Sequence, residues 1–278
     1  MIDLNKVLVT GAGGMVGSYV DFGIKTDRES LDITDLKKVF AMCDREKPSA
    51  ILHLAAETDL NRCEENPERA YMINAVGTYN MSLAARNLGI KLVYISTSGI
   101  FDGKKQGPYV ESDEGNPQNH YGHSKYLGEL AVRGVLQDYI IARTSWIFGG
   151  GPAKDKKFVA TVIKKLGDAE IKAASDSVGS PTYGKDIVAG IKKLLTDDAR
   201  GVLNLANTGV CSRYDVALEI ASAMRGNAKI TPMESSFFKT AMPPVLNQGL
   251  VSREDLMRPW REALAEYLAT EWATAKER

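Results

Sequence analysis

The chain has 278 residues and no net charge, with 35 basic and 35 acidic side chains, so nothing in its charge indicates nucleic acid or an anionic membrane as a partner. A chain of this length can bury roughly three quarters of its unfolded surface, which allows one large or two modest domains. The N-terminus lacks the pattern of a signal peptide and no apolar run approaches about 18 residues, so we expect a cytoplasmic protein that does not enter a membrane.

A glycine-rich turn follows the first predicted strand. Residues 6–10 are a short apolar run typical of a parallel strand buried on both faces, and three glycines spaced three apart come next. A helix that begins at such a turn, here predicted over residues 15–21, directs free N–H groups at a pyrophosphate. We therefore predict a dinucleotide site, with an ordinary Gly-rich turn as the alternative. Its phosphate-binding residues are Gly11, Gly14, Met15, Val16 and Gly17.

The end of the second predicted strand, residues 24–28, is where a dinucleotide fold distinguishes NAD from NADP. Asp27 favours the ribose hydroxyl of NAD and Arg28 favours the phosphate of NADP. Both are present, so the choice stays open, and we expect a modest preference for NADPH. Asp32 and Ile33 are candidate contacts to the adenine, although a strand end with a capping acid explains them equally well.

Two further buried strands, residues 50–56 and 91–96, flank a helical stretch at 69–89. This β-α-β alternation predicts a Rossmann-type, doubly wound parallel sheet, an α/β fold. Ligands bind beyond the carboxyl ends of such strands. His53 lies inside its strand and is interpreted as a hydrogen-bonded core residue. The strand ends that should line the crevice with the glycine turn are Ala55, Ala56, Ser96 and Thr97.

Tyr121 and Lys125 are four residues apart, which places them on one face of a helix. A nearby ammonium and an oxidised nicotinamide would stabilise a phenolate and lower the pKa of the tyrosine from its usual value near 10. Tyr121 could then give a proton to a carbonyl oxygen while Thr97 donates a second hydrogen bond to it. The alternative is a surface tyrosine beside a solvated lysine.

His120 and His123 have helical spacing, but no acidic or cysteine partner is suitably placed, so we predict no metal site. The three cysteines are scattered and form no Cys-x-x-Cys unit. We interpret Cys43, Cys63 and Cys211 as reduced, buried thiols.

The second half of the chain is predicted to be a smaller substrate-binding domain, so that the domains are residues 1–149 and 150–278, with part of 180–206 returning to the first. The basic cluster Lys154, Lys156 and Lys157 is either a solvated loop or an attractor for a nucleotide diphosphate. An aromatic stripe in the last helix is interpreted as core packing. The predicted elements are helices at 186–195, 212–224 and 259–276 and a strand at 201–205.

Several motifs resemble the extended short-chain dehydrogenase/reductases, and within them the dTDP-4-dehydrorhamnose reductase family. The resemblance implies that Thr97, Tyr121 and Lys125 are catalytic, that Asn74 binds the cofactor, and that Ser98 and Trp146 contact the sugar. The motifs that carry it are Thr-Gly-Ala-Gly-Gly-Met-Val-Gly at 10–17, Leu-Asp-Ile-Thr-Asp at 31–35, Asn-Ala at 74–75, Phe-Asp-Gly at 101–103, Tyr-Gly-His-Ser-Lys at 121–125, Arg-Thr-Ser-Trp-Ile-Phe-Gly at 143–149 and Asp-Ser-Val-Gly-Ser-Pro-Thr-Tyr at 176–183.

The chain departs from this family at three places. Ser98-Gly99-Ile100 stands where the family has Asp-Tyr-Val, which implies an altered substrate pocket. His-Leu-Ala-Ala at 53–56 is more similar to the sugar epimerases. Tyr19 stands near a position where some relatives carry a metal-binding acid, which weakens the expectation of Mg²⁺.

The resemblance implies NAD(P)H-dependent reduction of the 4-keto group of a nucleotide-activated 6-deoxy sugar, with dTDP-4-dehydrorhamnose as the substrate and dTDP-rhamnose as the product. One alternative is a nucleotide-sugar epimerase with tightly bound NAD. Another is a non-catalytic subunit similar to the regulatory subunit of methionine adenosyltransferase. The expected partners are a nucleotide sugar and a second copy of the chain in a homodimer.

Overall fold

The computed structural model describes residues 2–239, 245–253 and 255–272. The strands are β1 (Val7–Thr10), β2 (Ile24–Lys25), β3 (Ala50–His53), β4 (Lys91–Thr97), β5 (Tyr139–Thr144), β6 (Ile147–Phe148), β7 (Glu170–Ala174), β8 (Val178–Gly179), β9 (Thr182–Tyr183), β10 (Gly201–Asn204), β11 (Cys211–Ser212), β12 (Lys229–Met233) and β13 (Asn247–Gln248).

The α-helices are α1 (Leu36–Glu46), α2 (Leu60–Glu65), α3 (Pro67–Tyr71), α4 (Thr78–Leu88), α5 (His120–Val135), α6 (Gly151–Lys154), α7 (Phe158–Lys164), α8 (Gly184–Thr196), α9 (Arg213–Ala223) and α10 (Trp260–Tyr267). Short 3₁₀ turns lie at Leu4–Lys6, Gly17–Tyr19, Ser98–Ile100 and Ser235–Phe237, and π-helical turns at Met72–Gly77 and Leu268–Trp272.

The main sheet has six strands in the order β10-β5-β4-β3-β1-β2, and every neighbouring pair is parallel. All six carboxyl ends therefore meet at one edge. The predicted Rossmann-like α/β fold is confirmed. The pairing of β10 with β5 brings a strand from the second half of the chain into this sheet, while the domain boundary after residue 149 stays a prediction.

Alternating side chains of the strands enter two separate cores, because successive residues of a strand point to opposite faces. On β1, Val7 and Val9 pack with α8, whereas Leu8 packs with helices α1, α4 and α5. The sheet is thus covered on both faces, which explains why its strands are almost entirely apolar.

The predicted helix at residues 15–21 is wrong, because only the 3₁₀ turn Gly17–Tyr19 forms there. Only a short segment separates this turn from β2. Val20 and Phe22 of that segment pack in the core formed by β1 and α8, so they cover one face of the sheet. Tyr19 ends the turn with its hydroxyl on Glu271 at 2.7 Å, and the backbone N–H of Gly150 donates to the same hydroxyl. Distant residues therefore support the turn in place of a helix.

The second half of the chain encloses a core of its own, formed by α7, α9, α10 and the strand β7. The predicted aromatic stripe of the last helix belongs to this core, which confirms its interpretation as packing. The predicted helix appears as α10 followed by a π-helical turn, and residues 273–276 lie outside the described part. The buried stripe consists of Trp260, Leu264, Tyr267, Leu268 and Trp272. No helix within the described ranges is long and apolar enough to cross a membrane.

Candidate active site

Two adjoining cavities, of about 470 and 560 Å³, lie at the carboxyl edge of the sheet. They share Gly11, Gly14, Leu54 and Ala56, so they meet at the glycine turn. A bound dinucleotide requires this arrangement, with its pyrophosphate at the turn and its two nucleosides on either side.

Most of the predicted site residues line these cavities. The first cavity is lined by Gly11, Gly14, Met15, Val16, Gly17, Ala56, Ser96, Thr97, Ser98, Tyr121, Lys125 and Trp146. The second is lined by Gly11, Gly14, Asp27, Arg28, Asp32, Ile33, Ala55 and Ala56.

Asn74 is the exception, since it lines neither cavity and is fully buried. Its side-chain amide donates to the carbonyl of Glu57 and to the hydroxyl of Ser124, both at 3.0 Å, and it accepts from the backbone of Glu57 at 2.8 Å. These contacts tie the segment after β3 to helix α5. Asn74 is therefore placed to hold the site together, and the structure does not bring it to the cofactor cleft.

The glycine turn brings the backbone close to the strand beside it. Gly11 has a φ of +69°, and a Cβ there would lie 2.6 Å from the backbone nitrogen of Ala55. The turn also bonds to β2 through the N–H of Ala12 and the carbonyl of Thr26, at 3.0 Å. The cradle for a pyrophosphate is present, but without the predicted α-helix the helix dipole does not contribute.

Asp27 and Arg28 differ in their freedom to bind a ligand. One carboxylate oxygen of Asp27 accepts from the backbone N–H groups of Glu29 and Ser30, at 3.1 and 3.0 Å, and these bonds lower the pKa of Asp27. Arg28 is exposed and makes no hydrogen bond or close ion pair with the described residues. The carboxylate of Asp27 is thus occupied by hydrogen bonds within its own turn, while the guanidinium of Arg28 is free to bind a ribose phosphate.

Tyr121 lies in the first turn of α5, whose N-terminus is capped by Asn119 through a 2.7 Å bond to the N–H of Gly122. Gly122 permits close packing, because a Cβ there would overlap the carbonyl oxygen of Gly99. This approach sets the ring of Tyr121 beside Thr97, since both side chains would contact a Cβ on Gly99, and the Oγ1 of Thr97 accepts from the N–H of Gly99 at 3.0 Å. The structure thus brings Tyr121 to the end of β4, where Thr97 lies.

Burial raises the pKa of Tyr121 to about 12, whereas the lowering expected from the sequence depends on Lys125 together with a bound oxidised nicotinamide. The Nζ of Lys125 lies 4.1 Å from the ring centroid of Tyr94. Burial also lowers the pKa of Lys125 to about 7, against the opposing charge of Glu129. At neutral pH Tyr121 therefore carries its proton.

A buried ion pair below the site was missed by the sequence reasoning. Glu129 accepts from Arg143 at 2.8 and 3.0 Å, and the hydroxyl of Ser96 also donates to Glu129. Both charged side chains are almost completely buried. The four-residue spacing of Tyr121, Lys125 and Glu129 along one helix face was the available signal.

Trp146 follows β5 with a φ of +39°, a conformation that side-chain-bearing residues rarely adopt. Its indole N–H donates to the side-chain oxygen of Gln248 at 2.8 Å. Ser98 donates to the hydroxyl of Ser145 at 3.1 Å. Strained backbone is concentrated at functional sites, and here it directs an aromatic ring into the cavity.

The histidines of the predicted helix both contact one tyrosine. The hydroxyl of Tyr71 lies 3.0 Å from Nδ1 of His120 and 2.9 Å from Nδ1 of His123. In the part of the chain that the structure describes, no group of three His, Cys, Asp or Glu side chains could hold a metal. Buried His53, by contrast, bonds Thr10 and Thr78 as a core residue, and burial lowers its pKa to about 3.

The cysteines Cys43, Cys63 and Cys211 are buried and unpaired, as predicted. The basic cluster is not simply a solvated loop. Lys154 donates to the carbonyl of Gly13 at 2.8 Å, and Lys157 donates to the carbonyl of Thr58 at 3.1 Å. These two side chains reach toward the cleft from the segment after β6.

A tyrosine and a lysine one helical turn apart, set beside a strand-end threonine on a parallel sheet with a glycine cradle, place the chain among the extended short-chain dehydrogenase/reductases. Comparison with known proteins narrows this class. The chain belongs to the family described as RmlD substrate binding domain, which matches residues 5–272.

Three relatives illustrate the similarity. The spore coat polysaccharide biosynthesis protein SpsK of Bacillus subtilis is 34% identical, over 95% of this chain and 97% of that protein. The crystal structure of a dTDP-4-dehydrorhamnose reductase from Clostridium acetobutylicum has a TM-score of 0.90 at 34% identity, covering 95% of this chain and 98% of the other. That of the Bacillus anthracis dTDP-4-dehydrorhamnose reductase in complex with NADP has a TM-score of 0.90 at 32% identity, covering 96% and 99%.

Proposed function

We propose that the protein is an NADPH-dependent reductase of the 4-keto group of a nucleotide-linked 6-deoxy sugar, converting dTDP-4-dehydrorhamnose to dTDP-rhamnose. The observation that carries the proposal is that Tyr121 and Thr97 line one cavity, which also contains the glycine cradle. The names of the Clostridium and Bacillus anthracis relatives supply the substrate. The name of SpsK supports a role in polysaccharide biosynthesis.

NADPH, when bound, supplies a hydride to the carbonyl carbon. Tyr121 gives its proton to the carbonyl oxygen, since a phenol with a pKa of about 12 is protonated at neutral pH. Thr97 donates the second hydrogen bond to that oxygen. Lys125, with a pKa of about 7, is charged in part of the molecules and holds the cofactor ribose.

The remaining site residues form the cofactor site of this proposal. Gly11, Gly14, Met15, Val16 and Gly17 surround the pyrophosphate, and Arg28 binds the 2′-phosphate, with Asp27 held by its own turn. The other members are Asp32, Ile33, Ala55, Ala56 and Ser96, while Ser98 and Trp146 contact the sugar. Asn74 is assigned only an indirect, supporting role.

The test is NADPH oxidation with dTDP-, UDP-, GDP- and CDP-linked 4-keto-6-deoxy sugars. We expect stoichiometric oxidation, fastest with the dTDP-linked sugar, and isolation of the 4-hydroxy product. An epimerase would retain NAD through purification and show no net oxidation. A regulatory subunit would oxidise NADPH with none of the sugars, and either result would contradict the proposal.

Two further parts of the proposal concern setting and assembly. We also propose a cytoplasmic location, which localisation of the tagged protein tests. A homodimer is supported by exposed apolar side chains along neighbouring helical segments, and sedimentation of the purified protein tests it. These side chains are Met72, Val76, Tyr79 and Leu130.

A further inference from the structure

The first cavity is strongly cationic although the chain has no net charge. Lys125, Lys157 and Arg213 line it, and no aspartate or glutamate of the described residues does. Lys125 belongs to the catalytic group. Lys157 and Arg213 have no part in the proton transfer or in the glycine cradle, so the cavity has positive charge beyond what those steps use.

Arg213 has the geometry of an unoccupied anion ligand. It is the first residue of α9, and its guanidinium carbon lies 3.8 Å from the ring centroid of Trp146 and 4.8 Å from that of Phe158. Stacking uses the flat faces of a guanidinium and leaves its five in-plane N–H donors free. Arg213 makes no hydrogen bond or ion pair with any residue in the described ranges.

Among the described arginines that are buried or half-buried, the others are paired, whereas some exposed ones, such as Arg28, are not. Arg69 is bound to Glu57, Arg143 to Glu129 and Arg258 to Asp186. A partly buried guanidinium without an anion is costly to maintain. The free donors beside the cavity therefore indicate that a ligand supplies the missing acceptor.

Lys157 provides a second cation near the same end of the cavity. It precedes Phe158, whose ring Arg213 contacts, and among the described residues its Nζ bonds only the carbonyl of Thr58, at 3.1 Å. A diphosphate carries two negative charges and presents several oxygens, which suits recognition by the planar guanidinium of Arg213 and the ammonium of Lys157.

We propose that Arg213, assisted by Lys157, binds the diphosphate of a nucleoside diphosphate sugar and determines the specificity of the site for nucleotide-linked substrates. The inference rests on the proposed function in one respect, since the sugar is taken to extend from this diphosphate toward Tyr121. The ring of Trp146, fixed by its bond to Gln248, holds the guanidinium in place.

The experiment is calorimetric titration of the full chain with dTDP, UDP, thymidine and NADPH. Arg213→Met keeps an aliphatic stem against Trp146 but removes the charge and all five donors. We expect dTDP affinity to fall about 10- to 100-fold in this variant, with thymidine and NADPH affinities unchanged. Arg213→Lys should recover part of the loss, and Lys157→Met should lose less than Arg213→Met.

Arg261→Met is the matched control. Arg261 also stacks on a tryptophan, Trp260, at 4.5 Å, but it is paired with Glu219 and lies outside both cavities. Its replacement should leave dTDP affinity unchanged. Greater salt sensitivity of dTDP binding in the wild type than in Arg213→Met would further support the ionic contact.

Three results would overturn the inference. Equal losses of thymidine and dTDP affinity in Arg213→Met would mean that Arg213 only packs on Trp146. Unchanged dTDP affinity in both Arg213 variants, or a wild type that binds neither dTDP nor UDP, would also contradict it. The proposed function fails separately. If dTDP binds through Arg213 but no 4-keto sugar nucleotide oxidises NADPH, the diphosphate site stands and the reductase assignment falls.

Discussion

Replacing Tyr121 with phenylalanine removes one oxygen and its proton while keeping the ring that packs in the first turn of α5. Because the pKa of Tyr121 is about 12, the wild-type side chain is a proton donor throughout the neutral range. Loss of general acid catalysis costs on the order of 10²–10⁴ in rate. At about 1.4 kcal/mol per tenfold, this is about 3–5 kcal/mol in activation free energy.

The cost to folding should be much smaller. The phenol that loses its hydroxyl lies beside Thr97, whose Oγ1 keeps its bond from the N–H of Gly99. A single hydrogen bond contributes about 1 kcal/mol to the free energy of unfolding. Tyr121→Phe should therefore unfold in urea close to the wild type and bind NADPH with nearly unchanged affinity.

The assay is single-turnover oxidation of NADPH with the best substrate of the nucleotide-sugar panel. Lys125→Met should lose both rate and cofactor affinity, which separates it from Tyr121→Phe. Tyr126→Phe, on the same helix but outside both cavities, is the control and should keep wild-type turnover. Near-wild-type turnover by Tyr121→Phe would refute the assignment of Tyr121 as the acid.

Four more outcomes are expected. Arg28→Ala should shift the ratio of kcat/KM toward NADH, and an unchanged ratio would remove Arg28 from phosphate recognition. Gly14→Val should fold, since a Cβ there meets only the carbonyl of Gly11 at 3.2 Å, yet it should weaken NADPH binding strongly in a nicotinamide fluorescence titration. Glu129→Gln should lower the free energy of unfolding in urea by about 3–5 kcal/mol by leaving a buried arginine unpaired, and a loss below about 1 kcal/mol would contradict this. The pKa of Lys125 in the folded protein is about 7, below its ordinary 10.5, so the unfolded chain binds more protons between these pH values. From pH 7 to 9 the free energy of unfolding of the wild type should therefore rise relative to that of Lys125→Met, by up to about 1.4 kcal/mol per pH unit. Parallel pH dependences of the two free energies would contradict the shift.

The order of strands and helices was predictable because its signals are local. Buried apolar runs marked β1, β3 and β4, and the helix predicted at 212–224 appears as α9, which Ser212 caps. Strand ends in a parallel sheet share one edge, so the positions of Ser96 and Thr97 followed once the strands were found.

What could not be predicted depends on contacts between distant parts of the chain. The residues after Gly17 have no property that forbids a helix, and it is their packing against β1 and α8 that favours a 3₁₀ turn. The raised pKa of Tyr121 arises from burial, which sequence spacing does not measure. Arg213 became a candidate only when the fold set it against Trp146, 67 positions earlier in the chain.

The bond from Tyr19 to Glu271 joins residues 252 positions apart, near the two ends of the described chain. A protein is synthesised from its N-terminus, and its first half often folds before the rest has emerged from the ribosome. Here the turn that continues the glycine cradle acquires its support from Gly150 and Glu271, which are synthesised long after it. A nascent chain that has formed only the first five strands would therefore still lack a finished nucleotide site, and tight cofactor capture would require the segment that carries Glu271.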